Sequence, residues 1–215
     1  MIFLRSVSKT VFPKHETPKQ LFRPTSVALP TDCRVAILGG HQEGKTTLLR
    51  LLAGFDHPDT GEVTANLKLS PIANSRSFFH ISLTVAENAR LFARSMGLDA
   101  DYVLKALDTL CRIGSDVGKQ FGSLNGQQRK LLEIALLSIL PYDCYLLDDA
   151  SRLPKPLLER YFDAAERRGA GMIFTTATPR QVYEYADYAV VIRDRTVQAF
   201  RHADEALESV SDELR

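Results

Sequence analysis

Short apolar runs and longer helical patterns alternate along the chain after residue 34. Short apolar runs, typical of buried strands, occupy residues 34–38, 144–147 and 172–176. Apolar residues at three- and four-residue spacing predict helices at 47–53, 84–96, 100–112, 127–140, 156–168 and 179–186. This alternation predicts an α/β fold with a mainly parallel sheet flanked by helices.

Two regions depart from the alternation. Strand patterns at 2–7 and 26–29, separated by a loop at 13–19, and a further short strand region at 60–69 predict a β-rich N-terminal subdomain. The helical patterns that follow make residues 84–140 a helical subdomain inserted between the first core strand and the next one.

The end of the chain predicts a hairpin and a helical tail. The hairpin has strands at 189–192 and 197–200 that turn across Asp194-Arg195, and the tail at 204–215 has helical spacing and an end that is expected to fray. The length of 215 residues predicts one domain over residues 1–215.

Composition and charge exclude several classes of protein. A net charge of +1 argues against a dedicated nucleic-acid-binding surface. The three cysteines are scattered without a CxxC pair, which predicts neither a disulfide framework nor a zinc site. The most apolar segment, 131–140, is too short for a membrane span.

A phosphate-binding loop follows the first core strand. It has a glycine, four variable residues and then Gly-Lys-Thr. Its residues are Gly39, Gly40, His41, Gln42, Glu43, Gly44, Lys45, Thr46 and Thr47. A strand, a glycine turn and a helix aim backbone N–H groups and the positive helix end at a phosphate.

Four side chains are the candidates for catalysis and metal binding. Lys45 is expected to reach the β- and γ-phosphates, and the Thr46 hydroxyl is expected to ligate Mg²⁺. Asp148 ends an apolar strand, where α/β sheets place their ligands, so it is the candidate to complete the metal site. Asp149 is the candidate for orienting the attacking water. The alternative is that the Asp148-Asp149 pair only begins a turn.

Several connecting segments resemble the nucleotide-binding subunits of ABC transporters. These segments are 54–55, 58–63, 83–88 and 185–194, and residues 123–130 lie where that family carries its Leu-Ser-Gly-Gly-Gln signature. The short length, with segments 70–72, 78–80 and 88–90, most resembles the ATPases of capsular polysaccharide exporters. The resemblance covers nearly the whole chain.

The resemblance implies that two copies of the chain sandwich ATP. The residues that would face the ATP of the second copy are Leu124, Asn125, Gly126 and Gln127. Phe12, or Val11 if the register shifts by one, falls where the family stacks an aromatic ring on adenine, with core packing as the alternative for Phe12. A transmembrane permease partner and a place on the cytoplasmic face of the inner membrane are also implied.

The departures from the family pattern concern the groups that shape the transition state. Asp149 stands in place of a glutamate, and Ala177 in place of the histidine that contacts the γ-phosphate. Gln42 replaces a loop glycine and is strained if its φ is positive. Glu43 puts a carboxylate near the polyphosphate, which is harmful only if its side chain points inward. Two signature residues also differ, Leu124 and Asn125.

These observations favour an ATP-binding and ATP-hydrolysing subunit of a polysaccharide exporter, with turnover weakened by its altered motifs. The alternative is a nucleotide-binding regulatory or scaffold subunit with little or no turnover. An unrelated phosphate-loop kinase is a third hypothesis.

Overall fold

The computed structural model describes residues 1–13, 17–73 and 79–210. Within these residues the strands are β1 (Ile2–Val11), β2 (Lys19–Leu29), β3 (Arg34–Gly39), β4 (Thr60–Ala65), β5 (Leu69–Ala73), β6 (Cys144–Leu147), β7 (Gly171–Thr176), β8 (Tyr188–Arg193) and β9 (Thr196–Phe200). The α-helices are α1 (Lys45–Leu52), α2 (Val85–Met96), α3 (Ala100–Cys111), α4 (Gly126–Ile139), α5 (Lys155–Glu166), α6 (Pro179–Tyr185) and α7 (Ala203–Val210).

The larger sheet has the order β5-β6-β7-β3-β8-β9 among the described residues. All neighbours are parallel except β8 and β9, which form the predicted hairpin, with Asp194 and Arg195 at positive φ. Positive φ at both turn residues suits the right-handed twist of the flanking strands. Because β3, β6 and β7 are parallel, their carboxyl ends meet at one edge of the sheet, where ligands of α/β proteins bind.

The predicted N-terminal β-rich region is a separate antiparallel sheet with the order β2-β1-β4. The predicted strand at 26–29 was too short, because β2 continues back to Lys19 through Arg23 and Pro24. A proline is tolerated there because β2 lies at the edge of its sheet. The predicted strand region 60–69 is two strands in different sheets, since β4 pairs with β1 and β5 pairs with β6.

Two hydrophobic clusters lie on opposite faces of the larger sheet. Along β3, Ala36 and Leu38 pack with residues of α2 to α7, whereas Val35 and Ile37 pack with α1 and the N-terminal sheet. This alternation follows from the two-residue period of a strand. Because β3 is buried on both faces, the loop that follows it starts from a rigid support.

The predicted helical segment 84–140 contains α2, α3 and α4, with short 3-10 turns at Gly114–Gly118 and Phe121–Ser123. The predicted cap of α2 is confirmed: Thr84 Oγ1 accepts from the Glu87 N–H at 3.1 Å, and Glu87 Oε2 accepts from the Thr84 N–H at 2.8 Å. The tail begins as a helix at Ala203, and its residues 211–215 lie outside the described part, as do residues 14–16 of the predicted loop. None of the helices in the described ranges combines the length and the apolar character that a bilayer crossing requires.

Candidate functional site

The phosphate loop joins the end of β3 to the start of α1, as the sequence predicts. Gly44 precedes the helix with a φ of 104°, and a Cβ atom added there would lie 2.8 Å from Phe22 Cζ. Both the backbone angle and the close ring require glycine at this position. The free N–H groups of the first turn of α1 therefore open toward the edge where β3, β6 and β7 end.

Gln42 has a φ of 61°, so the expected backbone strain at this replaced glycine is present. A side chain in the left-handed region costs about 1–2 kcal/mol. The Gln42 carbonyl accepts a hydrogen bond from Lys19 Nζ at 3.0 Å. A charge-assisted bond of this kind offsets part of the strain and ties the loop to β2.

Glu43 turns back onto its own loop. Its carboxylate accepts a hydrogen bond from the Gly40 N–H, and a Cβ atom added at Gly39 would lie 2.9 Å from Glu43 Oε2. Glu43 is not among the residues that line the cleft described below. The carboxylate thus braces the loop and stays outside the lining of the cleft, although it lies close enough to Lys45 to act on that amine.

The amine of Lys45 donates to the carbonyl oxygens of Gly39 at 2.7 Å and Gly40 at 2.6 Å. Burial lowers its pKa. Nearby carboxylates oppose this shift in pKa, those of Glu43, Asp149 and Asp148. The amine therefore lies at the mouth of the loop among carboxylates, in a place where a bound phosphate would compete for its protons.

Thr46 and Asp148 come together across the sheet edge. Thr46 Oγ1 lies 3.0 Å from both carboxylate oxygens of Asp148, although the two residues are 102 positions apart. A hydroxyl and a carboxylate are hard oxygen donors, and Mg²⁺ in nucleotide sites is held by one or two carboxylates together with substrate phosphates. The pair fits Mg²⁺.

Asp149 lies beside this pair with both carboxylate oxygens engaged. Oδ2 lies 2.6 Å from Arg152 Nε, and Oδ1 accepts from Ser151 Oγ at 2.5 Å. Its backbone has a φ of 50°, and its N–H donates to Thr175 Oγ1 at 2.7 Å. The alternative that Asp148-Asp149 only begins a turn is partly right, because Asp149 does start a short 3-10 turn, Ala150–Arg152.

A cleft of about 530 Å³ connects these groups. Its lining residues are Val11, Pro13, Lys19, Leu21, His41, Gln42, Gly44, Lys45, Thr46, Thr47, Asp148, Asp149, Ser151, Arg152, Thr175 and Ala177. The predicted loop residues Gly39, Gly40 and Glu43 stay behind the lining. The volume lies in the range of small-molecule sites.

Phe12 directly follows β1, and its exposure decides against one of its two hypotheses. Its side chain is 77% exposed, so the alternative of core packing is wrong. Val11, the other candidate for the adenine wall, lines the cleft and Phe12 does not. Stacking of Phe12 on adenine stays a prediction, since its neighbours Val11 and Pro13 both line the cleft.

The four signature residues lie away from this cleft. Asn125 caps α4, since its Oδ1 accepts from the Gln128 N–H at 2.9 Å and Gln128 Oε1 accepts from the Asn125 N–H at 3.1 Å. Leu124 is 5% exposed and its side chain packs in the core, so only its backbone is available to the ATP of a second copy. Gly126 and Gln127 begin the helix, and contact with a second copy stays a prediction for them.

Several cleft residues were missed by the sequence analysis. Thr175 donates to Asp148 Oδ1 at 2.7 Å, and it could have been found because it lies near the carboxyl end of β7, next to the strand that carries Asp148. Lys19 and Arg152 carry no local signal for a site. Only the packing of β2 and the turn after β6 brings them to the cleft.

Comparison with known proteins identifies the family. The model of the family described as ABC transporter matches residues 22–152. The chain belongs to the ABC transporter family. The predicted resemblance is confirmed, and the match spans the phosphate loop, the signature segment and both aspartates.

Capsule proteins are among the relatives of this ABC chain. The ATP-binding protein BexA of Haemophilus influenzae is 28% identical over 179 residues, which cover 80% of this chain and 81% of BexA. The capsule polysaccharide export ATP-binding protein CtrD of Neisseria meningitidis is 28% identical over 181 residues, which cover 81% of this chain and 82% of CtrD. The dimeric structure of MJ0796, a bacterial ABC transporter cassette, has a TM-score of 0.78 at 17% identity and covers 94% of this chain and 98% of its own. This likeness confirms the predicted fold class.

Proposed function

We propose that this ABC chain binds and hydrolyses ATP as the motor subunit of an exporter of capsular polysaccharide. The observation that carries the proposal is the convergence of Lys45, Thr46 and Asp148 in one cleft, with Thr46 Oγ1 3.0 Å from Asp148. The name of CtrD supports the export role. We further propose that two copies pair around ATP and act with a transmembrane permease at the cytoplasmic face of the inner membrane.

Each residue of the cleft has a separate role in phosphoryl transfer. The Lys45 amine exchanges its two loop carbonyls for phosphate oxygens, and the N–H groups at the start of α1 hold the β-phosphate. Thr46 and Asp148 would hold Mg²⁺, which when bound neutralises charge on the phosphates. Asp149 orients the attacking water once a carboxylate oxygen is released from its present partners. Val11 and Leu21 supply an apolar wall for the base.

The test is Mg²⁺-dependent phosphate release from the purified protein. Lys45→Ala should lower the rate by about 100-fold or more, since a preorganised charged donor to the transition state is lost. Lys105→Ala is the matched control, because Lys105 is exposed on α3 and outside the cleft. Equal rates in the Lys45 variant and the control would refute catalysis by this site.

A second function, nucleotide binding with little turnover, is favoured by one observation. The Asp149 carboxylate is held by Ser151 and Arg152, and Ala177 brings no imidazole to the cleft. The variant Asp149→Glu with Ala177→His should raise the rate at least about 10-fold if these groups alone limit catalysis. No gain in rate, together with unchanged ATP affinity, would favour the regulatory role.

A further inference from the structure

Arg152 lines the nucleotide cleft from the 3-10 turn that follows Asp149. Its side chain is 75% exposed, and its Nε lies 2.6 Å from Asp149 Oδ2. Its backbone is anchored, because its N–H donates to the Asp149 carbonyl at 3.1 Å and its carbonyl accepts from Lys130 Nζ at 2.9 Å. A solvated side chain on a fixed backbone can change its partner without any change of the fold.

The contact with Arg152 opposes the role proposed for Asp149. A carboxylate oxygen that accepts from a guanidinium has fewer lone pairs left with which to orient a water. Ser151 Oγ holds the other oxygen at 2.5 Å. The carboxylate must therefore give up at least the guanidinium before that oxygen can orient a water.

A bound triphosphate supplies the competitor for this guanidinium. The terminal phosphate of ATP carries more charge than one carboxylate, and the planar guanidinium fork binds phosphate through two parallel N–H donors. Arg152 lines the same cleft as the phosphate loop, and Ala177, which also lines it, brings no charged group. The exposed pair with Asp149 holds the arginine weakly, since such pairs contribute about 0–1 kcal/mol.

We propose that Arg152 turns from Asp149 to the γ-phosphate when ATP binds and acts there as a catalytic residue. This inference rests on the proposed function as an ATPase. One movement then has two effects: it places a cation on the phosphoryl group that accumulates charge, and it releases Asp149 to orient water. The chain thereby replaces the contact that Ala177 cannot make.

The step is an ordinary hydrolysis. The water oxygen forms a bond to the γ-phosphorus, and the bond from that phosphorus to the β–γ bridging oxygen breaks with its electron pair on ADP. The proton of the water passes to Asp149 and from there to solvent. Arg152 stays bound to the transferred phosphate and leaves with its release.

The experiment compares the affinities of Arg152→Gln and of the native protein for a non-hydrolysable ATP analogue and for ADP, by calorimetry with Mg²⁺. The matched control is Arg180→Gln, because Arg180 is 79% exposed, pairs with Glu184 at 2.8 Å and lies outside the cleft. Loss of one charge-assisted contact should weaken the analogue about 10-fold and leave ADP within about 2-fold. Arg152→Lys should fall between, because it keeps the charge and loses the fork.

A double-mutant cycle with Asp149→Asn tests the exchange of partners itself. Asp149→Asn should tighten binding of the analogue about 3-fold when Arg152 is present and leave it unchanged in the Arg152→Gln background, because only a paired arginine can be released by the substitution. Equal weakening of analogue and ADP, faster phosphate release in Arg152→Gln, or an additive cycle would each overturn the inference. If one of these results is obtained while Lys45→Ala abolishes nucleotide binding, the Arg152 inference fails and the proposed function stands. If the native protein binds no nucleotide, the inference and the proposed function are both refuted.

Discussion

The hydroxyl of Thr175 joins the two aspartates of the site, and the cost of removing it can be worked out. The hydroxyl donates to Asp148 Oδ1 at 2.7 Å and accepts from the Asp149 N–H at 2.7 Å, in a residue that is 1% exposed. Thr175→Val keeps the shape and deletes both bonds. A buried group left unsatisfied costs about 1–3 kcal/mol, and Asp148 keeps its contact with Thr46, so the expected loss in the free energy of unfolding is about 2–4 kcal/mol.

Thermal unfolding and nucleotide binding check this expectation together. For a domain of this size, 1 kcal/mol corresponds to about 2–4 °C, so Thr175→Val should melt about 5–15 °C lower. Its ATP affinity should also lose most of its dependence on Mg²⁺, because Asp148 is no longer held in place.

Two variants control the experiment. Thr175→Ser keeps the hydroxyl and should recover most of both properties. Thr109→Val removes a hydroxyl that bonds only the Lys105 carbonyl of its own helix at 2.8 Å, and should stay within about 0.5 kcal/mol of the native protein. If Thr175→Val and Thr109→Val have the same melting temperature, the Thr175 hydroxyl does not hold Asp148 and Asp149 in place and the reasoning is refuted.

Three further predictions concern the loop, one ion pair and the thiols. Gly44→Ala should lower stability by about 2 kcal/mol and weaken ATP binding, since alanine is strained at a φ of 104° and its Cβ meets the ring of Phe22; unchanged melting would contradict this. Arg50 lowers the pKa of Asp56 from 3.8, so the pair stabilises the fold above that pH and ceases to do so as the pH falls through the lowered value. Melting curves should therefore show Asp56→Asn about 1 kcal/mol less stable than the native protein at pH 7, with the difference shrinking as the pH falls below 3.8. Burial raises the pKa of the cysteine thiols to about 11 or 12, so alkylation at pH 8, followed by mass spectrometry, should be at least about 100-fold slower in native than in unfolded protein for Cys33, Cys111 and Cys144.

The sequence was sufficient to predict the parts of the site that local rules govern. The phosphate loop needs glycine at one position and lysine and threonine at the start of a helix. Because these residues are consecutive, the sequence alone identifies the phosphate-binding groups. Asp148 was predicted because β6 is a short apolar run whose end must lie at the ligand edge of a parallel sheet. The capping box of α2 likewise depends on two residues three positions apart.

The rest depends on side-chain directions and on contacts between distant segments. The direction of Glu43 follows from a hydrogen bond to the Gly40 N–H, which no periodicity encodes. The engagement of Asp149 by Arg152 requires the left-handed backbone of Asp149, and aspartate is permitted but not required to adopt it. The extent of β2 was missed because Arg23 and Pro24 interrupt the apolar pattern while the edge of the sheet accommodates them.

The contact between Phe22 and Gly44 packs the β-rich sheet directly against the phosphate loop. An added side chain at Gly44 would meet the Phe22 ring at 2.8 Å and Leu21 at 3.2 Å, so strand β2 sets the clearance in which the loop bends. A transplant of this loop into another cassette would therefore need β2 as well. Insertions or deletions between Lys19 and Leu29 would disturb the phosphate loop through Phe22 and the apolar wall for the base through Leu21.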